Sequence, residues 1–177
     1  MSQIKLSALV LSIFAFLSAN LFASPDMVHE PYVGSTAFEK LKQLEGKWVG
    51  ESTSEGKTNP AEAIYEVSSA GTVVLEKLFP GTPHEMLTVY SENQGAVQMT
   101  HYCALKNQPV MKLEKSSDAD FEFDFTPSPG INEAQDMHMH QLKIHMDGSD
   151  QITHAWTLYQ AGQPAGTTTI QLKRTEA

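Results

Sequence analysis

The sequence predicts an all-β protein: about ten antiparallel strands in an up-and-down barrel, preceded by one short helix. Three observations predict it. From Gly46 onward apolar residues recur at every second position, and clusters of turn-forming residues separate the runs. Phe121, Phe123 and Phe125 alternate with Glu122 and Asp124; Ile152, His154, Trp156 and Leu158 alternate with Thr153, Ala155, Thr157 and Tyr159. No stretch after residue 46 has sustained helical spacing, and no internal repeat is present. So many short strands in a meander cannot remain a flat open sheet, because its free edges would pair with neighbouring chains. Closure into a barrel removes the edges; a two-sheet sandwich is the alternative that the same pattern permits.

The elements follow in order. Residues 1–23 read as a secretory signal peptide: Lys5 is the only charge before Asp26, an apolar run extends from Leu6 to Phe22, and Ala23-Ser24 precede Pro25. The apolar core is short for a spanning helix and has no stop-transfer flank. Cleavage near Ala23 implies a periplasmic or secreted protein with no membrane insertion thereafter; an uncleaved anchor is the alternative. Residues 24–35 carry prolines and no periodicity, and read as a flexible lead-in. Residues 36–177 form a single barrel domain, in a mature chain of about 154 residues that is long enough for a full core.

Ser35 or Thr36 caps a short helix with Glu39 in its first turn, Phe38, Leu41 and Leu44 on one stripe, and Gly46 at its end. Strands are expected at 47–53, 61–69, 72–79, 84–91, 96–103, 109–115, 120–126, 137–146, 151–160 and 166–174. The punctuation between them includes Ala70-Gly71, Pro80-Gly81-Thr82-Pro83, Asn93-Gln94-Gly95, Asp147-Gly148-Ser149 and Ala161-Gly162-Gln163. Pro127 to Gln135 is the one long irregular loop.

Charge and cysteine usage bound the function. The formal net charge is −9, and removal of Lys5 with the signal makes it −10. So acidic a surface disfavours nucleic acid and anionic lipid as partners. Cys103 is alone, so it forms no internal disulfide and is either buried and inert or reactive.

Leu44-Glu45-Gly46-Lys47-Trp48-Val49-Gly50, after a short amphipathic helix, resembles the Gly-x-Trp opening of lipocalin-like (calycin) barrels. That resemblance implies Gly46, Trp48 and Arg174 as a structural signature, with the basic residue of the last strand packed across the indole. The segments Leu78 to Met86 and Thr100 to Cys103 resemble those of an uncharacterised family of exported bacterial lipocalin-like proteins, which brings a fold but no established activity. Nitrobindin-like haem barrels share the opening and the strand number. Their Tyr-Pro after the first strand is missing, since Gly56-Lys57-Thr58-Asn59-Pro60 stands there, and the last strand has no histidine to serve as their axial ligand. Haem is therefore a weak expectation.

The stretch from Pro83 to Cys103 gathers His84, His101 and the only cysteine. A four-residue loop at Glu92–Gly95 would set Tyr90 opposite Val97, Thr88 opposite Met99, Met86 opposite His101 and His84 opposite Cys103, all on one face. Leu87 and Val89 compete for that face, and a loop one residue shorter or longer would flip one strand. Met137-His138-Met139-His140 is the second cluster: His138 and His140 share the parity of Leu142, Ile144 and Met146, so both are expected to face inward. An odd loop at Asp147-Gly148-Ser149 would bring His154 opposite Leu142 or Ile144.

These residues support three functions. The favoured one is a non-enzymatic binding protein whose lumen takes a small, partly apolar molecule, with Tyr65, Tyr90, Phe123 and Trp156 as walls, His84, His101, His138 and His140 as polar anchors, and Cys103 beside them. The second is a zinc or copper protein using His138, His140 and one of His101, His154 or Cys103, since two His on a strand plus a third ligand can hold zinc and added thioether or thiol suits copper. The third is a structural envelope protein with a packed lumen. No catalytic residue identifies itself: His84 with Cys103 lacks an orienting acid at fixed spacing. Phosphate loops, calcium loops and basic aromatic patches are absent from the sequence.

Overall fold

Ser35 is extended, and its Oγ accepts from the Phe38 N–H at 3.3 Å, which starts α1 (Thr36–Lys42). The Glu39 carboxylate accepts from the Gly34 N–H at 2.7 Å and so fixes the incoming chain. The computed structural model describes residues 30–175, so the expected signal peptide lies outside the described residues. The described end of the lead-in lies against the barrel. Tyr32 N–H donates to the Ala70 carbonyl, and the Tyr32 hydroxyl donates to Glu92 at 2.8 Å.

Phe38, Leu41 and Leu44 are fully buried, so the helix plugs one end of the sheet. Burial of each such side chain is worth about 1.5–3 kcal/mol. The helix stops at Lys42, and Gly46 opens the first strand rather than closing the helix.

The strands are β1 (Gly46–Ser54), β2 (Lys57–Ser68), β3 (Val73–Leu78), β4 (Met86–Asn93), β5 (Ala96–Tyr102), β6 (Val110–Ser116), β7 (Asp120–Thr126), β8 (His138–Asp147), β9 (Gln151–Gln160) and β10 (Gln163–Arg174). Each pairs antiparallel with its sequence neighbours, and β1 pairs with β10 to close the barrel. The all-β, ten-stranded up-and-down barrel with one N-terminal helix is therefore the observed architecture.

Tight turns set the register. Glu55-Gly56, Gln94-Gly95 and Ala161-Gly162 each have two positive φ angles, the left-handed pair that matches the twist of a two-residue hairpin. The turn at Gln94-Gly95 therefore takes two residues instead of the four expected, and Glu92 and Asn93 join the strand. The pairing slips by two: Thr88 faces His101 and Tyr90 faces Met99. A slip of two preserves the face, so Tyr90, Thr88, Met99 and His101 still point inward together.

The two ends of the barrel differ. At the helix end, Trp48 is fully buried and its indole N–H donates to the Leu44 carbonyl at 2.8 Å. The Arg174 guanidinium lies over the indole at 4.2 Å and donates to the Gln43 and Glu45 carbonyls. The other end is rimmed by the β1–β2, β3–β4, β5–β6, β7–β8 and β9–β10 connections. There β2 runs past β3: the last rung is Ala63 with Leu78, and only β1 pairs residues 57 to 62 in ladder register. Pro60, which has no N–H to donate, sits in that one-sided stretch.

Candidate functional site

The open half of the lumen holds a cavity of about 530 Å³. Its wall includes Met86 of β4, His101 of β5, Met139 of β8, Trp156 of β9, Ile170 of β10 and Ser52 of β1, with Phe79 and His84 of the β3–β4 loop at the rim. Strand alternation places Met86, His101, Trp156, Ile170 and Ser52 on inward positions, and a register shift in β8 brings Met139 to the same side. His101 and Trp156 stand together in the wall, their rings 4.4 Å apart and tilted by 38°, and Ser52, Ser54 and Thr168 add hydroxyls. His101 Nδ1 is 2.9 Å from the Thr88 hydroxyl, a pairing set by the two-residue turn.

Burial holds the His101 imidazole down to a pKa of about 4, so it is neutral at physiological pH. This has a consequence for stability. The unfolded chain takes up the proton near the ordinary value of 6.5, while the folded chain resists it until about 4. The contribution is complete above pH 6.5 and is lost as the pH falls through about 4. Its full size is about 3 kcal/mol. Urea midpoints of the protein and of His101→Gln, compared between neutral and acid pH, are expected to show a shallower acid slope in the variant; parallel slopes would refute this.

Beneath the cavity lies a layer that sequence reasoning missed. Glu76 of β3 and His154 of β9 are both fully buried, with Glu76 Oε1 3.4 Å from His154 Nδ1. Tyr90 O–H donates to Glu76 Oε2 at 2.6 Å, and the Tyr65 hydroxyl is 3.0 Å from His154 Nε2. His154 Nδ1 faces Glu76 Oε1 without a hydrogen bond between them, and neither atom has another partner among the described residues. Burial first, and then the Glu76 carboxyl, pushes both tyrosines well above their ordinary pKa. Burial lowers His154, against the pull of Glu76. The residues that sequence reasoning put in the cavity wall are thus partly below it: Tyr65 and Tyr90 belong to this layer, and Phe123 packs on Tyr90 at 5.6 Å.

His154 stands opposite Ile144 across a three-residue turn, as the odd loop requires. His138 and His140 are placed differently from the expectation. A register shift between Met139 and Gln141 breaks the two-residue alternation of β8, and it is Met139 that reaches the cavity. The two histidines instead pack with Phe125 and Tyr159, with His140 stacked on Tyr159 at 3.7 Å. His138 Nδ1–H donates to the Asp136 carbonyl at 2.9 Å, so its Nε2 accepts from His140 Nδ1–H at 3.0 Å. Among the described residues no three His, Cys, Asp or Glu side chains converge as a metal site requires. The expected set of His101, His138 and His140 is therefore not brought together: His101 is held against Thr88 and Trp156, away from the other pair.

The pairing of His84 with Cys103 is also corrected. β4 begins at Met86 and β5 ends at Tyr102, so both residues lie outside the ladder. His84 is exposed at the rim, while Cys103 Sγ faces Met86 Sδ at 4.0 Å. Burial pushes the Cys103 thiol up, which disfavours the nucleophilic thiolate.

Two solved structures share this closed architecture. Rv2717c from M. tuberculosis matches with a TM-score of 0.56 at 13% identity, over 81% of this chain and 100% of that one. A protein of unknown function from the DUF3598 family of Nostoc punctiforme matches with a TM-score of 0.53 at 13% identity, over 76% of this chain and 49% of that one. The likeness is one of fold, a closed up-and-down β-barrel. Identities this low carry the fold and no activity. No protein-family model matches the sequence, and no curated protein matches it.

Proposed function

We propose that the protein is an exported barrel that binds a small, partly apolar molecule in its lumen. One observation carries the reading: the lumen is packed at the helix end but holds a cavity of about 530 Å³ at the other. That volume falls within the range of about 300–1,000 Å³ typical of ligand pockets, and its wall has the usual makeup of apolar side chains with a few polar groups. Met86, Met139 and Ile170 supply much of the apolar part, and His101, Trp156, Ser52, Ser54 and Thr168 the polar part.

The two tryptophans separate the test. Trp156 lines the cavity, whereas Trp48 lies under Arg174 at the plugged end. Titration of the mature chain with Nile red is expected to give a saturable dye signal and quenching of tryptophan emission. In Trp156→Phe the dye should still bind, but most of the quenching should vanish, because Trp48 is remote. A linear, unsaturable response would sink the lumen-binding reading. Export is tested separately, by N-terminal sequencing of protein recovered from the periplasm or medium; a start other than one near Ser24 would contradict cleavage at Ala23.

A further inference from the structure

We propose that the cavity selects a neutral apolar molecule carrying a hydrogen-bond acceptor, such as a ketone, ester or ether oxygen, and discriminates against the corresponding carboxylate. This rests on the lumen-binding reading and gives it a substrate class.

The first observation is an orphan donor. Trp156 is 3% exposed, and its indole N–H has no hydrogen-bond partner among the described residues. Indole nitrogen only donates, so nothing but an acceptor can satisfy it. An unmet buried donor carries its full desolvation penalty, which is why such groups are rare. Trp48 provides the internal contrast, since its N–H, equally buried, is given to the Leu44 carbonyl. Of the four buried side-chain atoms left without a partner among the described residues, Trp156 Nε1 is the one whose side chain lines the cavity.

The second observation is the neighbouring imidazole. Nδ1 of His101 is engaged by Thr88, and Nε2 makes no hydrogen bond among the described residues. Because the ring packs on Trp156, a ligand oxygen that reaches the indole N–H lies beside His101 as well. A Thr88 hydroxyl that donates to Nδ1 leaves Nε2–H as a second donor for the same oxygen.

The third observation excludes the anion. Among the described residues no Lys or Arg lines the cavity, and His101 stays neutral. Glu76 stands directly across the ladder from Thr88. A carboxylate placed here would lose its hydration, find no cation, and face an acidic side chain one strand away; an isolated buried charge is far more costly than a neutral acceptor with the same skeleton.

Three matched probes test this by equilibrium dialysis against the mature chain at neutral pH: acetylnaphthalene, ethylnaphthalene and naphthoate. Acetylnaphthalene is expected to bind about tenfold more tightly than ethylnaphthalene, the value of one buried hydrogen bond. Naphthoate should bind more weakly than both. Trp156→Phe keeps an aromatic wall and removes the donor, so the ratio of acetyl to ethyl should fall to about twofold, the residue attributable to His101. Equal binding of acetyl and ethyl probes, or tightest binding of naphthoate, overturns the proposal while leaving lumen binding intact. Failure of all three together with Nile red overturns both. Should Trp156→Phe fold poorly, the ranking of the three probes on the unaltered protein decides alone.

Discussion

Replacing Glu76 by alanine is expected to lower folding stability by about 3–5 kcal/mol, the range for breaking a buried charged or polar network by removing one partner. Glu76 is fully buried and serves two groups at once. It accepts from the Tyr90 hydroxyl and faces the His154 ring, which in turn meets Tyr65. The alanine variant leaves the buried Tyr90 hydroxyl without its acceptor and removes the carboxyl that faces His154. Glu76→Gln keeps a carbonyl oxygen for Tyr90, so it should cost only about 1 kcal/mol, the net value of an ordinary hydrogen bond. Denaturant midpoints of the two variants check the pair. An alanine variant as stable as the glutamine one would show that the layer does not hold the barrel together.

Trp48→Ala is expected to have an effect of similar size, about 3–5 kcal/mol, as for other buried aromatic truncations. The indole fills the space between the helix plug and the strands, packing edge-on against Tyr65 at 6.5 Å. Its loss also removes the surface on which Arg174 stacks and the donor to the Leu44 carbonyl. The stacking contribution is separable: a double-mutant cycle of Trp48→Leu with Arg174→Ala should give a coupling of about 0.5–2 kcal/mol. A coupling near zero would mean that Arg174 acts only through the Gln43, Glu45 and Ser149 carbonyls it also bonds.

The parts of this molecule legible in its sequence are those governed by parity. Alternation along Phe121–Phe125 and Ile152–Leu158 depends on nothing but the pleat, and these strands stand where the pattern puts them. Register was harder, because it turns on how many residues a bend consumes. At Gln94-Gly95 a two-residue turn replaced the four-residue one, and only the even difference kept His101 on the inner face. The histidine pair failed for a related reason: a bulge adds one residue to β8, and alternation cannot be carried across it from Leu142 to His138. Glu76 was within reach of the same logic. It lies two residues from Val74 and two from Leu78, both buried, so its parity marks it as inward. The alternation alone does not single it out, because Val73 and Leu75 offer an equally apolar face.

The overhang of β2 beyond β3 has a consequence for how copies of this chain behave towards each other. A fully closed barrel offers no strand for another to pair with, yet residues 57 to 62 lack a β3 neighbour in the ladder. Pro60 interrupts the row of donors there, and the Phe79 N–H takes the Glu62 carbonyl, so little of the exposed ribbon can template an intermolecular sheet. The proline and the loop that begins at Phe79 thus act as a guard against self-association along this one-sided stretch of the wall.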